Sequence, residues 1–334
     1  MTGESPPRQQ VYTVVGAGRS GTSAMTRGLE ALGVELGDKL KPPGRKNAKG
    51  FFEDRDILDI NYRLHDLVGL RRNGSSLHLV ADPRAFPGVD ALRREAVDTL
   101  HGRFGDQPVW GFKCIGVMRL LPFWEAVFDD LGADLRYVLA IRNPMNVADS
   151  RKKTDYFRGF QEKSDLEWLV HVVPFYANVT RRPHVVVDYD RMMADPDREL
   201  RRIARAHDLP VTDARERGIR DFAGGFLSDR LRHNRTDDDT LAEQRVNALT
   251  WRAYRYLRDR SRDAEVDPGQ WDQIADALQM MAPALSHIDR LEAELRGPFF
   301  GLNSALQTLR ARVTGAMPRS AANRTATPRS GAKA

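Results

Sequence analysis

The apolar run Val11-Tyr12-Thr13-Val14-Val15 breaks into Gly16-Ala17-Gly18-Arg19-Ser20-Gly21-Thr22-Ser23, which sets three glycines, one arginine and three hydroxyls within eight residues. Glycines let a backbone turn tightly enough for its N–H groups to converge, and a helix that follows adds the positive end of its dipole. Residues of these types at this spacing make a cradle for a phosphate or sulfate. A second cluster of the same chemistry follows the apolar run Leu135 to Ile141. Arg142 stands at its end, then Asn143-Pro144 and Asn146, with Ser150 eight residues beyond the arginine. A strand delivers such an arginine where open α/β sheets bind ligands, and Pro144 suits the first position of a helix. Arg142 and Ser150 can face one anion if that helix returns past the strand end.

The glycine turn fits more than one motif. Gly16, Gly18 and Gly21 match the dinucleotide fingerprint, with Glu35 near the distance of a ribose-binding acid. That acid should close a second apolar strand, and Gly33-Val34-Glu35-Leu36-Gly37-Asp38 offers only isolated apolar residues. Gly16 and Gly21 also have P-loop spacing, but Thr22 occupies the place of the motif's lysine. A dehydrogenase and a P-loop nucleotide kinase are therefore the weaker readings. A bland alternative remains, a strand-turn-helix with nothing bound.

These residues must be held by a scaffold, and the spacing predicts an α/β one. Strand candidates are Val11 to Val15, Val109 to Cys114, Leu135 to Ile141 and His184 to Val187. They alternate with segments of helical period, so helices should flank a central parallel sheet in three layers. The first helix carries Met25, Leu29 and Leu32 on one face and should stop at Gly33. Lys39 to Gly50 reads as a long basic loop. Residues 276 to 295, with Leu278, Met281, Leu285, Ile288, Leu291 and Leu295, read as an amphipathic helix broken or started near Pro283, for core packing or self-association. Disorder is expected over residues 1–10 and from Gly315 onward, with one α/β domain with C-terminal helices over residues 11–300.

With both clusters in hand, Gly-Arg-Ser-Gly-Thr-Ser resembles the 5′-phosphosulfate loop of sulfotransferases that use 3′-phosphoadenosine 5′-phosphosulfate (PAPS). Arg142, Pro144 and Ser150 resemble that family's 3′-phosphate motif. Val109-Trp110-Gly111-Phe112-Lys113 is similar to the strand of bacterial sulfotransferases that brings a lysine to the active site. Here Cys114-Ile115-Gly116 replaces the usual Asp-Pro-Arg, and Ile115 stands where many cytosolic members carry a histidine. Val185 to Pro196, and Leu231-Arg232-His233-Asn234-Arg235, extend the likeness over about residues 11 to 236.

The resemblance implies a P-loop-like fold and transfer of a sulfuryl group to a hydroxyl or amine, a reaction that needs alignment and charge stabilisation. It implies that Gly18, Arg19, Ser20, Gly21, Thr22 and Ser23 hold the 5′ end of the donor and that Arg142 and Ser150 hold its 3′-phosphate. Arg19 would also neutralise charge on the leaving oxygen, and Lys113 could approach the sulfuryl group. Glu53, in Gly50-Phe51-Phe52-Glu53, is the first choice of base, against a solvated helix start built from Glu53, Asp54, Arg55 and Asp56. His233 and His65 are the other candidates. No metal is required. A noncatalytic nucleotide-binding protein is the alternative beside the kinase.

Composition narrows the partners. The 334-residue chain carries a net charge of +6. Beyond residue 300 stand Arg310, Arg312, Arg319, Arg324, Arg329 and Lys333 with no acid, six charges that equal the whole excess. The body is thus balanced, and no nucleic-acid partner is implied. A single cysteine, Cys114, fits a reducing compartment, and the polar first ten residues lack the apolar core of a signal peptide. A cytoplasmic protein is the expectation. The basic loop hints at an anionic or glycan-like acceptor. The segment from Phe299 to Val313, with its arginines, hints at peripheral membrane contact and a lipid-linked acceptor.

Overall fold

The four apolar runs form one parallel sheet in which the second, first, third and fourth lie side by side in that order. This computed structural model describes residues 8–43, 50–80, 82–226 and 239–295. The strands are β1 (Gln10–Val15), β2 (Val109–Lys113), β3 (Asp134–Ile141) and β4 (His184–Asp188). Val11 pairs with Trp110 on one side and Leu135 on the other, and Leu139 pairs with Val186. Because all four run the same way, their carboxyl ends share one edge.

The sheet is apolar on both faces. Val11 and Val15 of β1, with Leu135, Tyr137, Leu139 and Ile141 of β3, belong to one core, whereas Tyr12, Val14, Val138 and Ala140 belong to another. Alternation within strands that have no polar face requires cover on both sides. The helices in chain order are α1 (Thr22–Ala31), α2 (Arg55–Leu67), α3 (Val89–Phe104), α4 (Leu121–Asp130), α5 (Pro144–Lys152), α6 (Gln161–Val172) and α7 (Tyr176–Thr180). They continue with α8 (Tyr189–Ala194), α9 (Pro196–Ala206), α10 (Asp213–Asp221), α11 (Asp239–Arg245), α12 (Ala248–Arg260) and α13 (Pro268–Met280). Residues of α1, α9 and α10 build the second core, while α2, α3, α4, α6, α12 and α13 build the first. The result is the expected three-layer α/β fold, with a central parallel sheet flanked by helices.

Local signals explain the boundaries that matter for the site. Gly33, at φ 78°, follows the end of α1 as a left-handed cap residue. Asn143 caps α5 by accepting from Met145 N–H at 3.0 Å, with Pro144 at the first helical position. The amphipathic stretch predicted over 276–295 is interrupted: α13 ends at Met280, and helix resumes at residue 282 with Pro283 in its first turn. The chain divides into a unit spanning Met1–Leu285, which holds all four strands, and a second, Ser286–Ala334, whose described residues 286–295 are helical. The expectations for residues 1–7, for 44–49 of the basic loop and for the segment beyond 295 lie outside the described residues. Among the described residues no helix is long and apolar enough to cross a membrane.

Candidate active site at the carboxyl edge of the sheet

Each strand end contributes one part of the site. β1 runs into the loop Gly16–Gly21, whose conformation depends on glycine at two places. A Cβ on Gly16 (φ 141°) would run into the carbonyl of Ala140 on β3, and one on Gly21 (φ 87°) would run into the ring of Tyr189 after β4. The loop is therefore pressed against the ends of β3 and β4. Gly21 caps α1 without any side-chain hydrogen bond to its first amides, and the Ser20 hydroxyl is buried with no partner among the described residues. Uncapped N–H groups and a helix dipole at the mouth of a tight loop fit an anion.

Arg19 adopts φ 76°, a left-handed conformation that costs a non-glycine residue about 1–2 kcal/mol. Its Nε donates to Ser150 Oγ at 3.0 Å. The two clusters read separately in the sequence thus meet. Partial desolvation, with repulsion from Arg142 and Arg158, holds the Arg19 guanidinium below the usual arginine range. Mutually repelling guanidinium groups make a place where an anion is favoured.

Arg142 follows β3 and is 7% exposed. Its guanidinium lies 4.6 Å from the centre of the Tyr189 ring and 3.7 Å from Asp190 Oδ1. Asn146 Nδ2 donates to the other Asp190 oxygen at 3.3 Å. Tyr189 therefore serves two parts at once, as the wall behind Gly21 and the plane beneath Arg142. Ser150, 9% exposed, lies near the end of α5.

On the other side, β2 ends at Lys113, paired in register with Val14. Its Nζ donates to Glu53 Oε1 at 2.9 Å and to the Phe51 carbonyl at 3.1 Å. Phe52 sits at φ 52°, and this turn lets the carbonyl before it and the carboxylate after it converge on one ammonium. Lys41 Nζ lies 3.7 Å from Glu53 Oε2. Ser23 Oγ donates to the same Phe51 carbonyl at 3.4 Å, which ties the start of α1 to this pair. Asp54 alone makes the helix start, capping α2 by accepting from Asp56 and Ile57 N–H, and it is not solvated: it is 2% exposed and paired with Arg103 at 2.6 Å, while Glu53 is 3% exposed.

The structure brings Arg19 to Ser150, and Ser23 to Glu53 and Lys113 through Phe51. His65 is buried in α2, where its Nδ1–H donates to the Asn61 carbonyl at 2.8 Å; burial lowers its pKa to about 4. His233 lies outside the described residues.

Three contributors were not singled out in the sequence. Arg151, 3% exposed, donates to the Gly18 carbonyl at 3.3 Å and to Ser164, and pairs with Glu167 at 3.1 Å. Burial lowers its pKa to about 10. Burial opposes ionisation of Glu167 too, but Arg151 and Arg158 outweigh it and hold that carboxyl below its ordinary value. Arg151 thus braces the glycine loop from below while its neighbour Ser150 meets Arg19 from above. Arg158 and Tyr189 are the others. Tyr189 had one legible signal, its place directly after a strand on the ligand-binding edge.

Among the described residues no group of three His, Cys, Asp or Glu could hold a metal ion. No family model matches the chain, and no curated protein matches it. Among solved structures the chain is similar to sulfotransferase STF1 from Mycobacterium tuberculosis H37Rv, with TM-score 0.41 and 16% identity over 72% of this chain and 77% of that one. It is similar to the sulfotransferase domain of the Synechococcus PCC 7002 olefin synthase, with TM-score 0.39 and 14% identity over 83% and 96%. Sulfotransferase STF9 from Mycobacterium avium gives TM-score 0.37 and 16% identity over 78% and 79%.

Proposed function

We propose that the chain is a sulfotransferase that moves a sulfuryl group from PAPS to a hydroxyl or amine of an acceptor. The observation that carries this reading is the 3.0 Å hydrogen bond from Arg19 to Ser150, which joins a glycine-loop anion cradle to a strand-end arginine and serine in one site. Two anion subsites side by side suit a nucleotide phosphorylated at two separate positions. A nucleoside triphosphate would instead call for a loop lysine, and Thr22 stands there.

Bound there, PAPS supplies the sulfuryl group, whose sulfur gains a bond to the acceptor oxygen or nitrogen as its bond to the 5′-phosphate breaks. The N–H groups from Gly18 to Thr22, with the Thr22 and Ser23 hydroxyls, would hold the 5′-phosphate. Arg19 would offset charge gathering on the departing oxygen, which is where preorganised cations lower a barrier most. Arg142 and Ser150 would hold the 3′-phosphate. Glu53 would take the acceptor's proton, and Lys113 would hold that carboxylate in place.

A noncatalytic nucleotide-binding role is the second reading. It is favoured by the closed pair of Glu53 and Lys113, since a buried carboxylate already engaged by a lysine is also what a purely structural ion pair looks like.

The test is calorimetric titration with adenosine 3′,5′-bisphosphate, ATP and NAD in parallel. Selective binding of the bisphosphate is expected. Arg142→Ala and Arg19→Ala probe the two subsites separately. Removing a largely buried charge that meets a phosphate costs about 2–5 kcal/mol, so Arg142→Ala should weaken binding roughly 30-fold to several thousand-fold. Preference for ATP or NAD would overturn the reading. Bisphosphate binding without PAPS turnover across a panel of glycan, lipid and small-molecule acceptors would favour the second one.

A further inference from the structure

Glu167, on α6, is 0% exposed, and three cations meet on its carboxylate. Arg158 grips it with two nitrogens, Nε donating to Oε1 at 2.9 Å and Nη2 to Oε2 at 2.7 Å. Arg151 Nη1 lies 3.1 Å from Oε2, and Lys163 Nζ lies 3.9 Å from Oε1. The neighbouring Asp165 accepts from Gln161 and from the Asn247 N–H, and its charge adds to the pull on Arg151. A buried ion cluster is seldom the most stable filling for its volume; what it does supply is direction.

Each of the three cations also holds a segment of backbone. Arg158 donates to the carbonyls of Asn73 and Gly74 at 3.0 and 3.4 Å, and Lys163 to that of Ser75 at 3.1 Å. Arg151 Nη1 donates to the Ser164 carbonyl at 2.9 Å, and its Nη2 donates to the Gly18 carbonyl at 3.3 Å. A planar guanidinium pinned at Nη1 by Glu167 and Ser164 has the direction of Nη2 fixed as well. In a trans peptide the carbonyl and the next N–H point to opposite sides, so a Gly18 carbonyl drawn to Arg151 turns the Arg19 N–H away from it. The left-handed Arg19 persists only where its surroundings fix it, and this hold is one of the restraints.

We infer that Glu167 is a positioning residue for the donor: gripped by Arg158, it aims Arg151 at the Gly18 carbonyl and so sets the peptide between Gly18 and Arg19. Its role there rests on the reading of the glycine loop as the seat of the donor's 5′ end, and it couples residues 73–75, held by two of the same cations, to that loop. Charge and geometry predict opposite signs when the carboxylate is removed. A negative charge taken from the neighbourhood of an anion site should tighten anion binding, whereas a lost aim should loosen it.

The experiment is calorimetric titration of the full chain with adenosine 3′,5′-bisphosphate, well below the lowest melting temperature, for the parent, Glu167→Gln, Arg158→Lys, Arg151→Met and Glu167→Gln/Arg151→Met. Glu167→Gln should bind about tenfold more weakly. Arg158→Lys keeps the charge but not the two-pronged grip, and should bind about 3–10-fold more weakly. In the Arg151→Met background, Glu167→Gln should change affinity by less than about twofold, because the carboxylate acts through Arg151. Arg158 is partly exposed, so Arg158→Lys carries the test if Glu167→Gln does not fold. Affinity left unchanged or raised in either variant overturns the inference, as does a loss in the Arg151→Met background as large as in the parent. A parent that binds no bisphosphate overturns the donor reading instead, and amide hydrogen exchange over residues 16–21 then decides the positioning. Glu167→Gln and Arg158→Lys should speed that exchange at least about threefold against an unchanged β3, and equal rates overturn it.

Discussion

Replacing Glu53 by glutamine separates two properties that its setting combines. The substitution keeps the side-chain volume and an acceptor for Lys113, and removes the charge. Lys113, 7% exposed, would then face only neutral acceptors, the new amide oxygen and the Phe51 carbonyl. Stripping one partner from a buried pair costs about 3–5 kcal/mol, and the retained amide acceptor offsets part of it, leaving about 3 kcal/mol. At about 2–4 °C per kcal/mol for a domain above 150 residues, the melting temperature should fall roughly 6–12 °C. Lys113→Met should cost less, because Lys41 remains near Glu53. The double variant should be more stable than the sum of the single losses by about 1–3 kcal/mol, since it leaves no buried charge unpaired. Denaturant midpoints for the four proteins complete the cycle. Activity is then read well below the lowest melting temperature. A base at Glu53 predicts a loss of about 10²–10⁴ in kcat for Glu53→Gln with bisphosphate affinity unchanged. A melting temperature within about 1 °C of the parent, with additive single losses, would refute the buried-pair reasoning.

Other outcomes follow from the same geometry. Gly21→Ala should lose at least about 2 kcal/mol in a denaturant titration, because it combines left-handed strain with a clash against Tyr189; Gly18→Ala, which meets open space, should stay within about 0.5 kcal/mol. Arg151→Met should cost about 3 kcal/mol and also weaken bisphosphate binding by calorimetry, since the Gly18 carbonyl loses its brace while Glu167 keeps Arg158 at 2.7 Å; unchanged affinity would refute the bracing role. Burial raises the Asp165 carboxyl to about 6, so its folded pKa lies above the unfolded value and its protonation adds stability as pH falls from about 6 toward 4. Near 1.4 kcal/mol per unit this amounts to about 3 kcal/mol. His65 and His207, lowered by burial to about 4, act with the opposite sign and lose stability as pH falls below 6.5. Asp165→Asn should therefore steepen acid unfolding, as read from urea midpoints at neutral and acidic pH; parallel pH profiles for parent and variant would contradict the assignment.

The strands were legible because they are buried on both faces, which leaves the runs mainly apolar, with only single polar residues such as Thr13 and Arg136 inside them. Val109 to Cys114 and Leu135 to Ile141 correspond to β2 and β3 within a residue at each end. The glycine loop and the Asn143-Pro144 helix start were legible because backbone constraints write themselves into residue type. What joins them was not. Arg151 reads as one more cation at the end of a helix, and only the fold places Glu167, sixteen residues later, beside it and Gly18 above it. Glu53 read equally as a base or a capping acid because its partner Lys113 is sixty residues away. Long-range pairs between polar groups leave no period or spacing to find.

The contact between Arg19 and Ser150 makes the two proposed anion subsites a linked system. A phosphate that draws the Ser150 hydroxyl to itself loosens its hold on Arg19, and an anion that captures Arg19 releases the hydroxyl in return. Linkage requires the effect to be equal in both directions. Inorganic sulfate in the glycine loop should therefore change the affinity for a 3′-phosphate by the same factor that the 3′-phosphate changes the affinity for sulfate. The donor's two ends would then be bound as one cooperative event, and a nucleotide lacking either phosphate would lose more than the contacts of the missing group.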